Sequence, residues 1–129
     1  MVLVDTSVWI DHLRVGETSL ASLLNNSQVL VHPFVTGELA CGNLADRSNL
    51  LKLLRNLPQA SVATLEEVLF FIEHNGLMGR GIGFIDAHLL AATALGGRAR
   101  LWTRDLRLAR IAEGLNLHAA LTKNKPKGD

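Results

Sequence analysis

Four carboxylates in this chain stand where an α/β protein can do chemistry. Asp5 follows directly on the apolar run Val2-Leu3-Val4, and Asp105 lies two residues past "RLWT". Glu38 falls about one turn into the helical pattern after "QVLVH", and Asp86 is near the start of "FIDAHLLAATAL". If the apolar runs are strands of a parallel sheet, functional groups gather beyond their carboxyl ends, and all four residues come to that edge. Each also has an ordinary alternative. Asp5 and Asp105 suit helix N-caps, Glu38 an exposed helix position, and Asp86 the favourable charge at a helix start. Asp86 resists that reading most, because its helix is apolar nearly all round and therefore largely buried.

Such a grouping dictates its own partner. Two carboxylates about 4 Å apart repel by roughly 4 kcal/mol at an effective dielectric near 20, so four together call for a cation. All-oxygen ligation suits a hard divalent ion, magnesium or manganese, rather than zinc. Hydrolysis of a phosphodiester is the chemistry that such an ion supports. The histidines offer nothing better. Asp86 and His88 are two apart on a helix and point about 200° apart. His12, His32, His74 and His118 show no metal-binding spacing and are expected at the surface or in packing. "GLMGRGIG" holds four of the eleven glycines in eight residues, a loop without the spacing of either nucleotide-binding glycine motif. Ser7 has no paired base in any recognisable pattern, and no nucleophile elbow is present.

The elements that must position these residues alternate between strand and helix. Hydroxyls in "TSVWIDHL" open a helix that Gly16 stops, and "ETSLASLLNN" keeps Leu20, Leu23 and Leu24 on one face. "QVLVH" is the second strand, Pro33 opens the Glu38 helix, and Pro58 ends the periodic helix "NLLKLLRNL". "ASVA" is expected as a short strand. Thr64 and Glu67 form a capping box for "LEEVLFFIEH". "ARLWT", "DLRLARIAE" and "LNLHAAL" follow as strand, helix and a final strand. This alternation predicts an α/β fold with a parallel sheet and helices on both faces.

At 129 residues the chain is expected to form one domain, residues 1–121, followed by a polar basic tail, 122–129, expected to be disordered. Apolar residues make up 48%, enough for a dense core and suggestive of buried subunit contacts. The net charge of +1 means that any nucleic-acid binding must use local patches. A single cysteine, Cys41, excludes an internal disulfide and points to a reducing, cytoplasmic home. No signal peptide or membrane span is expected, since the apolar start ends at Asp5 and the longest apolar stretch is broken by Asp86 and His88.

"VLVDTSVWIDHLR", "VTGELACGNL", "GIGFIDAHLLAATAL" and "LWTRDLRLARIA" resemble, in order and spacing, the four acidic segments of PIN domains, and more narrowly the VapC toxins of type II toxin–antitoxin pairs. The resemblance covers the chain up to its basic tail. It implies a three-layer α/β/α sandwich and a magnesium-dependent endoribonuclease silenced by a VapB-type antitoxin. It also implies a homodimer and an acidic cluster of Asp5, Glu38, Asp86 and Asp105, with Thr103 as a supporting hydroxyl and Thr6 beside Asp5. One departure stands out. Many relatives carry another acidic residue just after the last aspartate, where this chain has Leu106 and Arg107, which leaves open one metal or two.

Arg104, Arg107 and Arg110 recur every three residues beside Asp105, a face that suits RNA phosphate or an antitoxin carboxylate and equally a plain solvated surface. "LEEVLFFIEHNGL" carries apolar residues round too much of its helix for one buried face, so the helix is either fully enclosed or a homodimer contact. Rival classes fit less well. A phosphoacceptor receiver would need a second acid where Thr6 stands, and a haloacid-type phosphatase would need one at Ser7. A non-toxin RNA-processing nuclease and a non-catalytic RNA-binding module remain the alternatives on the same fold.

Overall fold

Val2–Val4 forms β1, the middle strand of the sheet, with β2 (Val29–Leu30) on one side and β3 (Arg100–Trp102) on the other, all parallel. The computed structural model describes residues 1–121, and the tail expected to be disordered lies outside them. Leu3 and Val4 point to opposite faces of β1, yet both are fully buried, so helices cover the sheet on both sides. This is the expected three-layer α/β/α arrangement.

Among the described residues the helices are α1 (Thr6–Val15), α2 (Thr18–Asn25), α3 (Pro33–Ala40), α4 (Arg47–Asn56), α5 (Leu65–His74), α6 (Phe84–Leu95) and α7 (Leu106–Gly114). Their ends follow local chemistry. Pro33 opens α3 with a fixed φ, and the His32 ring caps it by accepting from the Phe34 N–H. Thr64 and Glu67 cap α5 reciprocally. Gly16 ends α1 with φ of 82°, a conformation open to glycine. α6 is buried without a break from Ala87 to Thr93, as an apolar helix with almost no charge must be. None of these helices is long and apolar enough to cross a membrane.

Two expected strands shrink to single bridges. "ASVA" contributes no ladder. This segment meets the chain just past β2 through a single bridge, Val31–Gln59, with Val31 N–H donating to Pro58 O and Ala60 N–H to Val31 O. Pro58 lacks an N–H and cannot extend that pairing. "LNLHAAL" likewise meets β3 only through Leu101 and His118. The helix "LEEVLFFIEH" is not enclosed. Val68 is its one buried residue, while Leu65, Leu69 and Phe70 are exposed.

Candidate active site

The register of the sheet places the site. Val4 pairs with Trp102, so the next residues, Asp5 and Thr103, leave neighbouring parallel strands side by side. The Asp5 N–H continues the ladder by donating to Trp102 O at 2.9 Å. Asp5 occupies the N-cap position of α1, but its carboxylate makes no cap hydrogen bond. Oδ2 instead accepts two hydroxyls, from Thr103 Oγ1 and from Ser7 Oγ, each at 2.8 Å. Both hydroxyls are held in turn by backbone N–H groups of the β3–α7 loop. Arg104 N–H donates to Ser7 Oγ and Asp105 N–H to Thr103 Oγ1, each at 3.0 Å. The donor direction is consistent throughout, and Oδ1 of this buried carboxylate accepts no hydrogen bond among the described residues.

The other three carboxylates enter from separate elements. Glu38 is exposed on α3, and its Oε1 accepts from Thr6 Oγ1 at 2.6 Å, tying α3 to the first residue of α1. Asp105 caps α7 by accepting from Leu108 N–H, so the ordinary reading of this residue is realised, with one oxygen committed to it. Asp86 accepts from Gly83 N–H at 3.3 Å, closing the first turn of α6. Burial raises its pKa above the usual aspartate value, Gly83 N–H opposes this, and the charges of Asp5, Asp105 and Glu38 push it up further. Asp5, Asp86 and Asp105 stand at helix starts and Glu38 near the end of α3, and the charges of the other three reach Asp86.

A model of the PIN domain matches residues 2–114. The chain belongs to the PIN domain family. It is 51% identical over 108 residues to proteins named Ribonuclease VapC32 from Mycobacterium tuberculosis strains H37Rv and CDC 1551. The alignment covers 84% of this chain and 87% of each relative.

In this PIN domain no three His, Cys, Asp or Glu side chains among the described residues stand close enough together to hold a metal ion as they are placed. The chemistry of the four side chains fits a hard divalent cation, since it is all carboxylate oxygen, with hydroxyls holding the Asp5 carboxylate in place. Asp86 supplies the second sign of fit, a carboxyl that carries the repulsion of three like charges.

The arginines divide. Arg104 is not on the last helix, because Asp105 caps that helix and it starts at Leu106. Its guanidinium pairs with Asp11 Oδ2 at 3.0 Å and with Glu17, and lies 5.5 Å from the centroid of the Trp102 ring. Arg104 is thereby committed inside the protein rather than offered to a ligand. Arg107 and Arg110 are exposed on α7. Arg107 also crosses the glycine-rich loop before Asp86. A Cβ at Gly81, which has φ of +86°, would come within 2.9 Å of its side chain.

Ser7 was passed over in the sequence for want of a base, yet its hydroxyl serves Asp5 directly. Its signal was its place two residues beyond Asp5, in the first turn of the helix that leaves the strand. Nothing comparable marked Asp11 and Glu17.

Proposed function

We propose that this PIN domain is a magnesium-dependent endoribonuclease that hydrolyses RNA phosphodiester bonds. We further propose that it acts in the cytoplasm as the toxin of a VapBC-type pair, neutralised by a VapB-type antitoxin. The 51% identity to the VapC32 ribonucleases supports the reading. The observation that carries it is Asp5, whose Oδ2 is fixed by two hydroxyls, beside Asp86, raised by burial and further by the neighbouring carboxylates.

In this reading Asp5, Glu38, Asp86 and Asp105 hold magnesium, with manganese as a substitute. When bound, the ion polarises the phosphodiester and offsets the charge that develops on it. The residues of the chain do the rest. Thr103 and Ser7 keep Asp5 oriented, and Thr6 holds Glu38 toward the same edge. Arg107 and Arg110 contact substrate phosphate or an antitoxin carboxylate. A homodimer forms through the exposed residues of α5, beside a cavity of about 420 Å³ lined by Phe70, Phe71, Ala91 and Leu95.

The test is RNA cleavage by purified protein with magnesium, with EDTA, and with Asp5→Asn. Cleavage that requires both the metal and Asp5, and that stops on addition of an antitoxin encoded beside the gene, is the expected result. Full cleavage by folded Asp5→Asn would remove the carboxylate site. Binding of RNA without any cleavage would leave a non-catalytic module.

A further inference from the structure

Arg104 sits where two parts of the fold meet, and its two ends face different tasks. At its side chain, Nε donates to Asp11 Oδ2 on α1, and NH2 pairs with Glu17, the residue that precedes α2. Glu17 is 9% exposed and its Oε1 is buried without a partner, so Arg104 is the cation that accounts for this carboxylate. The backbone of Glu17 is also held, since its N–H donates to His12 Nδ1. At its main chain, Arg104 N–H donates to Ser7 Oγ, which donates to Asp5 Oδ2. The next N–H, of Asp105, performs the same service for Thr103.

We infer that the Asp11–Arg104–Glu17 cluster is a latch that positions the β3–α7 loop, so that two consecutive N–H groups hold the hydroxyls which orient Asp5. Arg104 is a positioning residue that reaches no substrate. Its planar guanidinium engages two carboxylates from separate elements and lies over Trp102, which a flexible ammonium cannot match. The inference rests on the carboxylate site proposed above, and deepens it by naming what sets its geometry. The latch is formed by residues other than the four acidic ones; it acts on Asp5 through Ser7 and Thr103, and on Asp105 as part of the loop it holds.

Arg104→Met alone leaves Glu17 as a buried, unpaired charge and endangers the fold. The informative variant is therefore Glu17→Gln with Arg104→Met, which removes both charges, with Arg104→Lys as a second variant that keeps the cation. Amide hydrogen exchange is read first, on metal-free protein without RNA. In the double variant the amides of residues 104 and 105 should exchange about tenfold faster or more, while Leu101 in β3 keeps its protection. In cleavage assays kcat should fall about tenfold or more with KM nearly unchanged, because a small misplacement of a reacting group slows chemistry more than binding. Arg104→Lys should recover part of both. Parental exchange at 104 and 105 in the folded double variant would overturn the latch, and so would a uniform rise that includes Leu101. Because exchange is measured without metal or substrate, failure of the latch is distinct from failure of the site, which Asp5→Asn decides.

Discussion

Thr103 Oγ1 donates to Asp5 Oδ2 at 2.8 Å, joining residues 98 positions apart at the ends of two paired parallel strands. Hydrogen bonds to a charged partner contribute about 1.5–3 kcal/mol, equivalent to roughly ten- to a hundredfold in an equilibrium or a rate. Thr103→Val keeps the shape and removes both the donor to Asp5 and the acceptor of Asp105 N–H. It should lower kcat/KM for RNA by about that factor while leaving Ser7 as the remaining donor to Oδ2. Steady-state kinetics on a short RNA checks this, and unchanged kcat/KM would show that Asp5 needs no second hydroxyl.

Asp86 gives a prediction about stability. A carboxyl raised above its unfolded value contributes stability at low pH that is lost as pH rises through the folded pKa. At neutral pH, Asp86→Asn removes that loss and keeps an oxygen for Gly83 N–H, so the metal-free variant should melt higher than the metal-free parent. Magnesium should raise the parent's Tm, by about 2.7 kcal/mol in stability at a hundredfold excess over Kd, and raise the variant's less. Scanning fluorimetry in EDTA and across a magnesium titration reads both effects. A lower-melting variant with no metal response in the parent would reduce Asp86 to a helix-start charge.

Acid should act through His32. This ring is fully buried, and burial, with a smaller contribution from the charge of His88, lowers its pKa to about 4 from 6.5. Its Nδ1 must stay unprotonated to cap α3. Between those pH values the unfolded chain takes up a proton that the folded state refuses. Stability therefore falls as pH drops from 6.5 toward 4, by roughly 3 kcal/mol from this group. His32→Asn retains a capping oxygen without the titration. Urea midpoints at pH 7 and pH 4.5 should differ less for the variant than for the parent. An equal difference in both would acquit His32.

Phe70 is 68% exposed on α5, so Phe70→Glu should leave the monomer's stability within about 0.5 kcal/mol. Light scattering should find a dimer for the parent and a monomer for the variant. A monomeric parent would end the dimer reading at the first measurement.

Arg107→Ala and Arg110→Ala test the phosphate contact. Each lost contact with single-stranded RNA should flatten the slope of log K against log salt by about 0.7. Titrations at several salt concentrations with catalytically inactive Asp5→Asn protein measure this without cleavage. If RNA affinity holds and antitoxin affinity drops, the arginines belong to the partner.

Local order in the chain was enough for most of the fold. The apolar runs before Asp5 and Asp105, the capping box at Thr64 and Glu67, and Pro33 all act through neighbours within a turn, so periodicity and end signals exposed them. The α/β alternation was also what pointed four carboxylates to one edge, because parallel strands put their carboxyl ends together. What stayed hidden depended on contacts that no spacing encodes. "ASVA" reads as a strand by composition, but whether a segment ladders depends on the backbone groups its neighbour leaves open, and beside Pro58 only one bridge forms. Arg104 reads as one face with Arg107 and Arg110 at a three-residue interval. It lies outside that helix because the chain turns at Asp105, and its guanidinium goes to Asp11 and Glu17, 93 and 87 residues away. Asp5 gains its second hydroxyl from Thr103, and Ser7 its backbone donor from Arg104, only once β1 and β3 stand in register. Hydrogen bonds and ion pairs act over a few ångströms of space, and folding alone determines which distant residues come within that range.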